Sequence, residues 1–351
     1  MQIIMKTTVF VKAGQVAVQE VEKPQLVEAD DAIIRVVRTC VCGSDLWGYR
    51  GDDDKAEGSE NTGHEIIGVV EEVGSAITTL KKGDFVIAPF THGCGHCAAC
   101  VAGFEGACQD HTPTTNFSSG YQAEFVRYPH AQWSLVKIPG QPGDYSEGML
   151  ASLLALADVM PTGYHAARVA NVQKGDTVAV VGDGAVGLCA VIAAKLRGAK
   201  RIIIRSRHED RQKLALEFGA TDVVPERGEE GIAKVRELTN GAGVDAALEC
   251  VGTQLSTETA LKIARPGAAI GRVGVPHTHD INLSDYFFQN AIIAGGPASV
   301  TTYDKELLLK AVLDGQINPG KVFTQTYSLD NIDQAYKDME NRKTIKAMVT
   351  V

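Results

Sequence analysis

Between Thr177 and Leu188 the chain reads TVAVVGDGAVGL, an apolar run that turns on glycines 182, 184 and 187 into the helix-forming AVGLCAVIAAKLRGA. No other stretch restricts the fold as strongly. An extended segment that passes through closely spaced glycines straight into a helix begins a βαβ unit, and the alternation continues beyond it. KRIIIRS precedes EDRQKLALEFGA, and VDAALECVG, STETALKIARPG and AAIGRVGVP follow. Apolar strands alternating with helices of about ten to fifteen residues give a parallel sheet covered on both faces. Glycines at this spacing let the backbone approach a pyrophosphate at the helix N-terminus, where unpaired N–H groups and the helix dipole favour an anion. A dinucleotide-binding, doubly wound domain is expected over residues 160–293.

The remainder of the chain has a different texture. DAIIRVVRTC, EIIGVVEEVG and KKGDFVIAP read as short strands and turns, the last ended by Pro89. SLLALADVMPTGYHAARVA reads as helix, with Pro161 marking a break or a new start. After about Ile293 the alternation stops, and the tail ends in the strand-like TIKAMVTV. The expected plan is a mostly-β domain over 1–159, the α/β domain over 160–293, and a return of 294–351 to the first domain.

Hydrophobic residues make up 44% and charged residues 22%, a globular balance. Thirty-four Lys and Arg against forty-three Asp and Glu give a net charge of −9, which argues against a nucleic-acid partner. The apolar stretches are too short or interrupted to span a bilayer, and MQIIMKTTVFVKAGQ lacks the unbroken apolar core of a signal peptide. No membrane partner is expected. A reducing, cytoplasmic setting is, and there a tight cysteine cluster binds metal more often than it forms disulfides.

Such a cluster lies in THGCGHCAACVAGFEGACQD, where Cys94, Cys97, Cys100 and Cys108 are separated by two, two and seven residues. Four thiolates enclose one zinc ion tetrahedrally and leave no open position. Glycines at 93, 95, 103 and 106 would let the loop fold tightly around the ion. The alternative is an unmetallated surface loop. With the shell already filled, His92 and His96 are expected to be solvated loop residues. A closed site cannot bind substrate, so the chemistry must lie elsewhere. One pointer is Asp158, the only charged residue in MLASLLALADVMPTGYHAA. A carboxylate in so apolar a run needs a partner, most readily a cation. A helix-capping role before the Pro-Thr pair is the competing explanation.

The second strand of the α/β domain bears on the cofactor. NAD-binding versions carry an Asp or Glu at its end, about twenty residues after the glycine turn, to hold the ribose 2′-hydroxyl. In KRIIIRSRHEDR that place is Ser206, surrounded by Arg205, Arg207 and Arg211. Exchanging a carboxylate for guanidinium groups favours a 2′-phosphate, which arginine grips in a fork. NADP(H) is therefore expected over NAD(H), with Ser206 and Arg207 as the main contacts, unless the segment is simply a solvated basic loop.

Two further stretches complete a pattern: CVCGSDLWGYRG from Cys40 and GHEIIGVVEEVG from Gly63. Taken with the four-cysteine loop and the glycine turn, in this order, they resemble the zinc-dependent alcohol dehydrogenases of the medium-chain dehydrogenase/reductase family, over essentially the whole chain. The resemblance implies a GroES-like, mostly-β catalytic domain beside a Rossmann domain. It also implies two zinc ions per chain, one catalytic and one structural. It makes Cys42, His64 and Asp158 the catalytic zinc ligands, Glu65 a residue that approaches or binds the zinc when substrate is absent, and Asp45 the carboxylate that holds the His64 ring. Cys40, of the same strand parity as Cys42, is expected mainly to pack.

In many relatives the alcohol proton leaves through a Ser or Thr, the cofactor ribose and a His three residues on. Ser44 fits the first place. Trp47 stands at the last, and indole has no basic site. Ser44 and the ribose hydroxyl would then discharge to water, with Trp47 packing near the cofactor or substrate channel or merely filling space. The resemblance further sets Thr162 against the nicotinamide, gives Val251, Val273 and Val275 backbone contacts to the carboxamide region, and sends Lys346 to the pyrophosphate. Zinc would act as a Lewis acid on a small alcohol, aldehyde or ketone, in a homodimer or homotetramer. A polyol, sugar or aldehyde-processing dehydrogenase is a second possibility. A catalytically silent zinc-binding interaction protein is a remote third, and the presence of Cys42, His64 and Asp158 weighs against it.

Overall fold

The computed structural model describes residues 3–53, 55–60, 62–110, 120–276, 282–298 and 302–351. They form two compact units, one from residues 1–158 with 299–351 and the other from residues 159–298.

The first unit opens with an antiparallel pair, β1 (Ile4–Lys12) and β2 (Gln15–Glu22). β3 (Ala32–Val41), β4 (Ile66–Val73), β5 (Phe85–Ala88), β6 (Phe125–Tyr128) and β7 (Val136–Ile138) belong to a larger, seven-stranded sheet. β3 and β4 are the two β-branched runs read from the sequence, paired antiparallel. Ile34, Val36, Ile66, Val70 and Val86 from these strands close a core with Tyr121 and Tyr128. Fully burying a side chain of this size stabilises by roughly 1.5–3 kcal/mol. Asp31 anchors the start of β3: its carboxylate accepts from the backbone of Val27 and Glu28 and from Arg127 Nε at 2.6 Å.

The second unit is the parallel sheet: β8 (Thr177–Val181), β9 (Arg201–Arg205), β10 (Asp222–Val224), β11 (Val244–Glu249), β12 (Ala264–Arg272) and β13 (Ile292–Gly295). Their spatial order is β10-β9-β8-β11-β12-β13, every pairing parallel. Val181, Ile203, Val224 and Ala247 from the strands lie in one cluster with Val235 and Ile263 from the covering helices. The sheet does not stop at Ile293. β13 pairs with β12 through Gly295, which draws residues up to 298 into this unit.

The chain then rejoins the first unit through β14 (Phe323–Ser328) and β15 (Lys346–Thr350). β15 runs parallel to β14 and antiparallel to β3, placing Met348 opposite Cys40 and Ala347 opposite Val41. The helix Ile332–Glu340 covers this end of the sheet, and Ile332, Tyr336 and Met339 pack with Val41, Leu46 and Val349. A second core therefore supports the segment that carries Cys40 and Cys42.

The helical stretch from Ser152 onward is two helices, Glu147–Ala155 and Val159–Val169. Pro161 sits in the first turn of the second, where its missing N–H costs no helical bond. The interruption falls at 156–158, which leaves Asp158 outside both helices. No helix among the described residues is long and apolar enough to cross a membrane.

Candidate active site

The four loop cysteines converge. Cys94 Sγ lies 4.0 Å from Cys100 Sγ, and Cys97 Sγ lies 3.9 Å from Cys108 Sγ. These separations exclude disulfides and match the edge of about 3.8 Å that a zinc tetrahedron with 2.3 Å bonds requires. Backbone N–H groups face the sulfurs: Cys97 Sγ accepts from Gln109 at 3.3 Å and from Cys100 at 3.5 Å. These bonds, the Gln109 one foremost, push the Cys97 thiol down to about 6, whereas burial pushes Cys94 up to about 11. Thiolates of this arrangement suit a structural zinc ion. Lys305 Nζ reaches Glu105 Oε2 at 3.0 Å and ties the loop to the helix Thr302–Leu313. His96 is exposed, with Nε2 3.1 Å from Asp110. His92 corrects its expectation. It is 2% exposed, its ring edge-on to Tyr128 and tilted against His130, because Thr91 and His92 precede the loop in a buried stretch.

A second cluster unites Cys42, His64, Glu65 and Asp158, whose ligand atoms lie within 4.8 Å of one another. Cys42 follows the end of β3, and His64 and Glu65 precede β4. The antiparallel pairing of those strands brings the three together, and the break at 156–158 delivers the fourth. Cys42 Sγ is 3.6 Å from Asp158 Oδ2, and His64 Nε2 is 3.4 Å from the same oxygen. A zinc tetrahedron with ordinary bond lengths needs about 3.5 Å for sulfur to oxygen and about 3.3 Å for nitrogen to oxygen. The donor set and its spacing fit zinc. Gly63 makes the entry possible: its φ is +66°, and a Cβ there would come within 2.5 Å of the Gln122 side chain.

Around these donors lies a layer of hydrogen bonds. Asp45 Oδ2 accepts from Cys42 N at 2.8 Å, while Oδ1 stands 3.5 Å from His64 Nδ1. This leaves Nε2 aimed at Asp158. Burial opposes charge on His64, but the Asp45 carboxylate and the contact with Asp158 outweigh it and hold the imidazole well above its ordinary range. Glu65 is 1% exposed; Thr39 Oγ1 donates to its carbonyl, and Lys346 Nζ donates to its Oε1 at 2.6 Å. Burial pushes the Glu65 carboxyl up, and Lys346 draws it back only in part.

The site therefore differs from expectation at Lys346. Instead of a free ammonium offered to a pyrophosphate, it is 1% exposed and held by Glu65 and the Val41 carbonyl. Its place in β15, beside β3, directs it inward. Cys40 is buried, with its carbonyl bonded to Gln122 Nε2, and packs as expected. Ser44 is exposed at the start of the helix Asp45–Arg50, and Trp47 is half-buried with the Arg50 guanidinium 5.7 Å from its ring centroid.

In the second unit Gly182 and Gly184 form the turn from β8 into the helix Ala185–Leu196, and Gly187 lies in the first turn of that helix. A Cβ on Gly187 would meet the Gly182 carbonyl at 2.0 Å, so helix and turn pack closer than any other residue allows. Thr162 is buried in the helix Val159–Val169. Val251 and Val275 are exposed, Val273 half-buried. Glu249, which the sequence reading passed over, organises these valines. Its buried Oε1 accepts from the N–H groups of Val251 and Gly252, both at 2.8 Å, and its carbonyl accepts from Val273.

A cavity opens where the ends of β8, β9 and β10 meet the start of the helix Gln254–Ile263. Ser206, Arg205 and Arg207 line it, together with Asp183, Glu226 and Arg227, which the sequence motifs do not single out. Arg211 stands behind, with Nη1 3.3 Å from Asp183 Oδ1. The signal for Asp183 was present in Gly-Asp-Gly, but motif spacing leaves that position unconstrained.

Comparison with known proteins agrees with this architecture. Residues 28–140 match the alcohol dehydrogenase GroES-like domain, and residues 185–306 match the zinc-binding dehydrogenase family. An alcohol dehydrogenase of Cupriavidus necator is 31% identical, the alignment covering 98% of this chain and 97% of that protein. Among solved structures, an alcohol dehydrogenase from Thermus sp. ATN1 superposes with a TM-score of 0.88 at 31% identity, over 99% of this chain and 100% of that one. A zinc-dependent alcohol dehydrogenase from Streptococcus pneumonia gives 0.87 at 32%, over 99% and 98%.

Proposed function

The chain belongs to the zinc-type alcohol dehydrogenases of the medium-chain dehydrogenase/reductase family, and from that premise we propose that it moves a hydride between NADP(H) and a small alcohol or carbonyl substrate. The observation that carries the reading is the spacing of Cys42, His64 and Asp158, at 3.4 and 3.6 Å through a shared oxygen. These three residues would hold the catalytic zinc, with Glu65, tied to Lys346, able to stand aside for substrate. Bound there, zinc supplies Lewis acidity at the substrate oxygen while the nicotinamide gives or accepts the hydride. Asp45 fixes the His64 ring. The exposed hydroxyl of Ser44 is the proposed outlet for the alcohol proton, since Trp47 has no basic atom to take it.

In the cofactor unit, Gly182, Gly184 and Gly187 would cradle the pyrophosphate, with Thr162, Val251, Val273 and Val275 toward the nicotinamide. NADP(H) over NAD(H) is supported by Ser206 at the end of β9 and by Arg205, Arg207 and Arg227 around the same cavity. Homo-oligomers are supported by β13, an edge strand whose Ile292 is 56% exposed, and by Phe287 and Phe288 just before it, 76% and 78% exposed. Eight cysteines without a disulfide support a reducing, cytoplasmic setting.

The test combines zinc content with turnover on primary, secondary and polyhydroxylated alcohols and both cofactors. Wild-type protein is expected to carry two zinc ions per chain. Asp158→Ala is expected to lose one of them and to lower kcat/KM by about 100-fold or more. One ion per chain and no hydride transfer with any alcohol would reduce the protein to a silent zinc-binding module.

A further inference from the structure

β8 and β9 are parallel neighbours with Val181 opposite Arg205, so the residues just beyond each strand meet at one edge of the sheet. There Ser206, 3% exposed, donates from Oγ to Asp183 Oδ2 at 2.9 Å. The other carboxylate oxygen of Asp183 is 3.3 Å from Arg211 Nη1, which also reaches the Asp183 carbonyl at 3.3 Å. Both side chains are largely covered, Arg211 at 14% and Asp183 at 16% exposure. The acid missing from the end of β9 thus has a substitute, supplied by the glycine turn of the neighbouring strand.

We propose that Asp183 is the residue that sets cofactor discrimination: its carboxylate accepts from a ribose 2′-hydroxyl and, by its charge and its hold on Ser206 and Arg211, weakens binding of a 2′-phosphate. The inference rests on the reading of the second unit as a nicotinamide dinucleotide site. Its physical basis is a contest for the same donors. A phosphate dianion wants the Ser206 hydroxyl and the nearby guanidinium groups, and gains most when they are free to fork onto it. Asp183 occupies the first and neutralises Arg211, leaving Arg207 and Arg227 on the cavity wall to favour the phosphate. A neutral hydroxyl suffers no such repulsion and can donate to the carboxylate. The site therefore admits both cofactors, with the preference for NADP(H) held below what its arginines alone would give.

Calorimetric titration of the zinc-loaded protein with NADP⁺ and with NAD⁺ tests this. In Asp183→Asn the ratio of Kd for NAD⁺ to Kd for NADP⁺ is expected to rise by about 10-fold or more over wild type, with tighter NADP⁺ and weaker NAD⁺. Asp183→Glu, which keeps the charge, is expected to stay within about three-fold of the wild-type ratio. An Asn variant whose ratio is unchanged within about two-fold, or moves toward NAD⁺, overturns the proposal. Loss of both dinucleotides in both variants also overturns it, since Asp183 would then only support the turn. The underlying reading fails separately and visibly: wild-type protein that binds neither dinucleotide refutes it before any substitution is made.

Discussion

Asp31 shows how much one buried carboxylate can carry. It is fully covered, accepts two backbone N–H bonds and accepts from both Nε and Nη2 along one edge of the Arg127 guanidinium. Burial would raise its carboxyl, but Arg127 and the backbone donors outweigh that and hold it below its ordinary 3.8. A depressed carboxyl contributes stability that is complete above the unfolded value and is lost as pH falls through the folded one. Asp31→Asn is therefore expected to lower the Tm by several degrees at pH 7, from a loss of about 1–3 kcal/mol. The gap from wild type should shrink steadily below about pH 4. A gap in thermal unfolding that is the same at pH 7 and pH 3 would refute this account. Residues like Asp31 were not legible in the sequence, because the partner that matters is 96 positions away. The four loop cysteines stand out because thiol donors are rare and lie close together in the chain, whereas Cys42, His64 and Asp158 are distant in sequence and are picked out only through the family resemblance. Lys346 was misread for the same reason as Asp31: only the pairing of β15 with β3 decides that its ammonium turns inward to Glu65.

At the scale of elements, legibility followed length and pattern. β3, β4, β8 and β9 are runs of β-branched residues, and the helices after β8 and β9 have clear glycine stops, so all could be read directly. β10 and β13 have three and four residues and acquire strand geometry only from a neighbour already in place. The cysteine loop is the opposite case, an element with little regular structure, only the four-residue helix Ala98–Val101 and one 3₁₀ turn. Its shape depends on four sulfurs and the N–H groups turned toward them. Cys100→Ser is expected to release one of two zinc ions per chain, lower the Tm by several degrees and open residues 94–108 to proteolysis. Retention of both ions would show that this loop is not a metal site.

For the molecule as a whole, the two-unit plan was visible because a parallel α/β pattern sits inside a chain whose ends share another texture. The exposed apolar face around Phe287, Phe288 and Ile292 was not visible, since only the fold shows that β13 is the last strand of its sheet among the described residues. An unpaired strand edge flanked by aromatics is a natural seam for self-association. Replacing both phenylalanines (Phe287→Asp with Phe288→Asp) is expected to shift the protein to a single-chain mass in light scattering, with the Tm of the second unit little changed. A mass identical to wild type would place the seam elsewhere.

The bond from Lys346 Nζ to the Val41 carbonyl joins positions 305 residues apart. During translation the cofactor sheet between them can pair its strands from its own residues while β3 still waits for the strand that will lie beside it. The cysteine and histidine of the metal pocket therefore spend most of synthesis without Lys346 or the helix that covers their floor. A pocket that would hold zinc is complete only once the return segment has been made, so metal loading is expected to come late in the maturation of each nascent chain.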